Sequence, residues 1–300
     1  MHPILFEIPQ IDLGSWTIGP IPIRMYGLMI GIGFLLGIWL ASRRAKQEGI
    51  NPERILDMGV YLLLAAIIGS RLLYVIINIQ EFRPNPLEIF AIWKGGLVFY
   101  GGLIAAVATG IWYVQKHALP LWKTGDIFAP YIALGHMFGR FGCFFAGCCY
   151  GAPCHTSACI TFTDSHSLAP LGVPLYPTQL FEAGGEFLNF LLLATLYRHR
   201  KFDGQIFWLY PALYAILRFV VEFFRGDAAR GVWFGGILST SQIIAILMFG
   251  GSLVMLWWLG KKQQVQAAAE VKAQAAAKTR VDAASKIKVE TKVGKKSSKP

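Results

Sequence analysis

The sequence predicts an all-α integral membrane protein of about seven transmembrane helices, with the N-terminus outside and the C-terminus cytoplasmic. Three observations predict it. The chain is 55% hydrophobic and only 15% charged, where soluble domains average about 25% charged. Seven apolar runs approach the roughly 20 residues that span a bilayer as helix. Basic residues alternate from one set of loops to the other, which orients the chain by the positive-inside rule.

Residues 1–22 form an outer-face arm. It has no Lys or Arg and no basic leader region, so it reads as an arm and not as a cleavable signal peptide. The runs follow at 23–41, 55–77, 96–114, 127–145, 178–197, 206–224 and 242–260. Together they make a membrane domain over 23–260. The inner loops hold Arg43, Arg44, Lys46 and Arg54, then Lys116 and Lys123, then Arg198, Arg200 and Lys201. The outer loops hold Arg83 with Lys94, none at all over 147–177, and Arg225 with Arg230. Two prolines, Pro84 and Pro86, break helix between the second and third runs. The apolar residues around them suit a short segment at the membrane interface. Residues 261–300 carry eleven Lys or Arg against three Asp or Glu, which is +8 of the net +11. This basic Ala/Lys-rich tail reads as cytoplasmic, with a nascent helix in its first half and disorder over the last ten residues. A basic excess confined to a tail gives no reason to expect nucleic acid as a partner, whereas anionic lipid headgroups would attract it.

The charged residues inside the apolar runs are the candidate site. Arg71, Arg140 and Arg218 lie in the second, fourth and sixth runs. A charge at mid-membrane costs at least about 2.5 kcal/mol on the lenient insertion scale, so each needs a reason. One reason is an anionic ligand such as a lipid phosphate, whose two oxygens match the planar guanidinium fork. The other is internal pairing with Glu182, Glu186 and Glu222, and the two are compatible. Tyr214, Arg218 and Glu222 recur every four residues and share a helix face, as do Glu182 and Glu186. Gly95–Gly96 and Gly101–Gly102 flank Tyr100, where small residues let helices approach.

All five cysteines fall between Cys143 and Cys159. On an oxidising face a loop-stapling disulfide is one reading and cysteines as small apolar residues the other, and the odd count leaves at least one thiol unpaired. Even with His155 and His166 nearby the spacings match no zinc template. Neither metal nor cofactor is expected from the sequence.

These residues carry a resemblance. His2-Pro3-Ile4-Leu5-Phe6, Arg24-Met25-Tyr26-Gly27, Gly69-Ser70-Arg71 and the 95–102 segment are similar to those of prolipoprotein diacylglyceryl transferases. So are Gly139-Arg140-Phe141-Gly142 through Gly151, Tyr176-Pro177-Thr178-Gln179 with Glu182, Arg218 to Arg225, and Ser239-Thr240-Ser241-Gln242. The resemblance implies a bacterial inner-membrane enzyme. It would move the diacylglyceryl group of phosphatidylglycerol to the lipobox cysteine of a preprolipoprotein among membrane lipids. A thioether forms and glycerol 1-phosphate leaves. It implies Arg140, Arg218 and Tyr100 as catalytic residues. Arg140 would also bind substrate with Tyr26, Arg71, Gly151, Glu182, Tyr214 and Glu222. The alternative is a phospholipid-binding membrane protein of this fold without transferase activity. Two positions depart from the family pattern. Many members carry histidine where Tyr100 stands, and tyrosine is a poor base at neutral pH. Either Tyr100 orients a substrate or the proton leaves elsewhere. Cys143, Ala146 and Cys148 replace asparagines and a glutamate of the signature segment.

Overall fold

The structure is a computed structural model that describes residues 2–9, 11–13, 16–18, 21–91, 95–226, 231–233 and 238–296. Lys94 and Arg230, used above for orientation, lie outside the described residues, as does the end of the tail beyond Lys296.

The N-terminal arm is strand, which the sequence reading leaves unassigned. β1 (Ile4–Ile8) pairs antiparallel with β4 (Ile21–Arg24), setting Phe6 against Ile23 and Ile8 against Ile21. Inside that hairpin, β2 (Ile11–Leu13) pairs with β3 (Trp16–Ile18). Period-2 alternation and β-branched residues favour strand here.

Each apolar run falls on a helix. α1 (Met25–Gln47) leads through a short turn to α2 (Pro52–Ile77), whose N-terminus is set by Pro52 and by Asn51 Oδ1 accepting the Glu53 amide at 2.9 Å. A short α3 (Ile79–Phe82) and a 3-10 turn (Pro86–Phe90) occupy the proline-broken segment. α4 (Phe99–Lys116) and α5 (Leu121–Ala146) follow, and Gly147 ends α5 in the left-handed conformation at φ +74°. β5 (Ile160–Thr161) and β6 (Pro174–Leu175) pair within the long loop, where Cys154 and Cys159 form a disulfide. α6 (Thr178–Leu196), α7 (Gln205–Val221) and a 3-10 turn (Glu222–Phe224) complete the site-bearing part. A last pair, β7 (Val232–Trp233) with β8 (Leu238–Ser239), precedes α8 (Thr240–Lys296). The helical backbone continues to Lys296. Ala, Lys, Gln and Glu are strong helix formers, so the tail prolongs the helix past its apolar part.

α1 packs on α5, α2 on α4, α5 on α6, and α7 on α8, with α5 and α6 both meeting α7. Small residues set the closest approach. A Cβ on Gly69 would come within 2.5 Å of the Gly101 carbonyl oxygen, so the α2 and α4 backbones touch. The core of α1, α5, α6 and α7 is apolar, with Ala41, Ala45, Ile127, Ala133, Leu193 and Ile206 all fully buried.

Polarity is inverted relative to a soluble protein. Arg71, Gln179, Glu182, Glu186 and Glu222 are buried, whereas Leu35, Ile68, Leu72, Ile76, Leu188 and Leu247 are exposed. This is a mostly helical membrane protein. Among the described residues four helical segments are long and apolar enough to cross a bilayer, namely Met25–Gln47, Pro52–Ile77, Gln205–Phe224 and Thr240–Gln266. α5 and α6 are less apolar because they carry His136 and Arg140, and Gln179, Glu182 and Glu186, respectively.

Polar contacts tie the loops together at the two ends. At one end Arg200 donates a fork to Glu48 at 3.1 and 2.6 Å, and Lys123 lies 3.3 Å from the same carboxylate. The Arg200 hydrogen bonds hold the Glu48 carboxyl below its ordinary value. Asp126 accepts the amides of Gly204 and Phe207, both at 2.8 Å, and so anchors the start of α7. At the other end His2 lies 3.2 Å from Asp164, joining the arm to the long loop.

Candidate active site

The α5–α6–α7 junction gathers most of the predicted polar residues. Glu182 on α6 sits between two arginines. Arg140 of α5 pairs with it through Nε, and Arg218 of α7 donates to its Oε1 at 2.6 Å. Arg218 also reaches Glu222 at 2.7 Å and Ser241 Oγ at 3.1 Å. Two guanidiniums and two carboxylates balance. The buried charge at Arg140 and Arg218 is therefore met internally, and an anion is not needed to account for it. Both side chains remain only slightly exposed, at 15% and 13%.

The two arginines differ in what they have left to offer. Arg218 uses both terminal nitrogens on protein partners. Arg140 is held by Nε alone, and its two terminal nitrogens make no hydrogen bond among the described residues. A guanidinium anchored at Nε presents its outer fork to a ligand.

A second polar group lies one turn away. His136 Nδ1 is 3.2 Å from the Tyr210 hydroxyl and 3.3 Å from Glu186, and its ring faces Tyr214 at 5.0 Å. The sequence reading gave His136 no role. Its position four residues before Arg140, on the same helix face, was the available signal. Among the described residues Glu186 thus pairs with His136 and with no arginine.

Tyr26 approaches from α1, where Gly142 leaves room for it. A Cβ at Gly142 would lie 3.0 Å from Tyr26 Cδ2 and 3.2 Å from its carbonyl oxygen. Tyr26 is within electrostatic reach of Arg140, Cys143, Cys148 and Cys149. Gly151 sits beyond in the long loop. Its amide donates to Tyr176 O at 2.9 Å, and a Cβ there would meet Tyr176 Cβ at 2.5 Å and Phe224 O at 2.6 Å. Glycine at 151 thus has a packing reason of its own.

Two predicted residues stand apart. Arg71 donates to the carbonyls of Ile89 (2.8 Å), Gly95 (2.7 Å), Gly96 (3.2 Å) and Glu88 (2.6 Å). It organises the segment between α3 and α4, and the structure does not bring it to Arg140. Tyr100 is more than half exposed at the start of α4 and contacts the Phe99 ring. It shares a face with Leu103 and Val107, which line an apolar cavity of about 520 Å³ between α1, α2, α4 and α5. That volume lies within the roughly 300–1,000 Å³ of small-molecule sites. Gly135 is the last α5 residue on its wall. Arg140 lies five residues further, about 7.5 Å along the helix axis.

Comparison with known proteins identifies the family of the chain. The family model for prolipoprotein diacylglyceryl transferase matches residues 14–258, a range that includes every residue discussed from Tyr26 to Ser241. The chain belongs to the prolipoprotein diacylglyceryl transferase family. Among its relatives, phosphatidylglycerol–prolipoprotein diacylglyceryl transferase of Finegoldia magna is 39% identical over 259 residues, covering 86% of this chain and 99% of the relative. That of Clostridium tetani is 36% identical over 246 residues, covering 82% and 93%. That of Vibrio vulnificus is 34% identical over 270 residues, covering 88% and 97%.

Proposed function

We propose that this protein transfers the diacylglyceryl group of phosphatidylglycerol to the lipobox cysteine thiol of a preprolipoprotein. The open fork of Arg140 is the observation that carries the reading. In the proposed step the thiolate sulfur attacks the glyceryl carbon. The new C–S bond replaces the C–O bond to phosphate, whose electron pair leaves with glycerol 1-phosphate. Charge builds on the phosphate oxygens, where fixed donors lower the barrier. Arg140 supplies its terminal nitrogens there. Arg218 fixes Glu182, and Glu182 fixes Arg140. The apolar cavity between α1, α2, α4 and α5 suits the acyl chains.

The thiol must lose its proton. Tyr100 is badly suited to take it, and the His136–Glu186 pair offers an imidazole in the same cluster. Tyr26, Tyr214 and Glu222 line the approach to the guanidiniums, and Gly151 and Arg71 shape the loops around it. Seven bilayer crossings, an outer N-terminus, a cytoplasmic basic tail and location in a bacterial inner membrane complete the proposal. Its support is the alternation of basic loops and the pairing of loop contacts at two ends of the bundle. The other reading is a phospholipid-binding protein that does not transfer.

The test is an assay of the purified protein with phosphatidylglycerol and a lipobox-bearing peptide, followed by mass spectrometry. A peptide mass raised by one thioether-linked diacylglyceryl group, with stoichiometric glycerol 1-phosphate, is expected. Lipid binding without a modified peptide would establish the second reading instead.

A further inference from the structure

The three cysteines outside the disulfide converge although their spacing matches no zinc template. Gly147 ends α5 in a left-handed turn, and the Cys148 amide donates back to Cys143 O at 3.1 Å. Residues 148 and 149 are thereby folded back over Cys143. The sulfur atoms of Cys143, Cys148 and Cys149 all lie within 4.8 Å of one another. Tetrahedral zinc with Zn–S bonds of about 2.3 Å places its sulfurs roughly 3.8 Å apart, so small rotamer shifts bring the three to a common metal.

The backbone beneath them is fixed. Gln179 Nε2 donates to Cys148 O at 2.7 Å, and Thr178 Oγ1 donates to Cys149 O at 2.8 Å. Cys149 is held at φ +60°, a conformation that non-glycine residues rarely adopt unless their surroundings impose it. All three cysteines are half-buried. Three thiolates on a divalent ion carry a net single negative charge.

We propose that Cys143, Cys148 and Cys149 form a zinc site of three thiolates at the C-terminal end of α5, with a fourth position open to water. Thiolate sulfur is the ligand class that selects zinc over harder cations. The site stands on its own geometry and does not require the transfer reaction.

Metal content decides it, measured without substrate. The full-length protein, purified in detergent without chelator, should carry one zinc per chain by elemental analysis. Cobalt exchanged into the unmodified protein should show the sulfur-to-metal absorption and strong visible bands of a tetrahedral thiolate site. Cys148→Ser and Cys149→Ser should lose the zinc, while the double variant Cys154→Ala with Cys159→Ala should keep it. The cobalt spectrum needs no substitution, so a variant that fails to fold does not blunt the test. Absence of metal together with absence of the cobalt bands would overturn the proposal. So would a disulfide between any two of the three cysteines in the native protein.

Discussion

Replacing Arg140 by lysine isolates the role of the guanidinium fork. The substitution keeps the positive charge in a site where the side chain is only 15% exposed. It removes the geometry that lets Nε hold Glu182 while both terminal nitrogens make no hydrogen bond among the described residues. One ammonium must then choose between Glu182 and a phosphate. The loss is one charge-assisted hydrogen bond, about 1.5–3 kcal/mol, which is about ten- to a hundredfold in kcat/KM. Alanine removes the whole fork and should cost about twice that free energy, roughly a hundred- to ten-thousandfold. Glu182 keeps Arg218 at 2.6 Å in either variant, so the fold should survive. The assay follows lipid transfer to a lipobox peptide at several phosphatidylglycerol concentrations, with thermal melting in detergent as the fold control. A fall in kcat marks stabilisation of the leaving phosphate, whereas a change confined to KM would mark ground-state binding. A lysine variant within about threefold of the parent rate would refute the fork argument.

Arg71→Lys tests the loop role of the second intramembrane arginine. With one ammonium for four carbonyl bonds, it should lose about 2–4 kcal/mol of stability and gain protease sensitivity between α3 and α4. Gly151→Ala should lower the melting temperature, because the added methyl meets Tyr176 and Phe224; an unchanged melt would show that the loop yields freely. Tyr100→Phe should slow transfer by no more than about threefold, since the residue is more than half exposed and its ring contact is with Phe99. A loss of a hundredfold or so would place that hydroxyl in the proton transfer. Glu48→Gln should alter the acid limb of stability. The depressed carboxyl stabilises the native state above its unfolded value, and that contribution fades as pH falls through the lower folded value. The parent should therefore lose stability on acidification that the glutamine variant has already lost, as followed by melting temperature against pH.

Some of the site was legible before the fold was known. Arg140, Arg218, Glu182 and Glu222 stood out because charge inside an apolar run is costly, and the four-residue spacing of Arg218 and Glu222 already placed them on one face. Arg71 stood out by the same logic. Its sequence context is as apolar as that of Arg140, yet carbonyls from a segment 17 to 25 residues away satisfy it. Hydropathy measures the cost of a charge and is blind to who meets it. His136 went unassigned for the converse reason, since its partners Glu186 and Tyr210 come from two other helices.

By itself the sequence determined the helical membrane class, the positions of the seven apolar runs and the family. Each follows from local composition, period and motif. Tertiary structure alone decided that Glu182 bridges two arginines, that Arg140 meets it through Nε, that an apolar cavity opens between α1, α2, α4 and α5, and that three cysteines of unpromising spacing meet. Those facts depend on how α1, α5, α6 and α7 pack, and on a left-handed turn at Gly147 that reverses the chain. No one-dimensional pattern encodes such contacts, because they join residues whose separation along the chain is set by helix length and loop path.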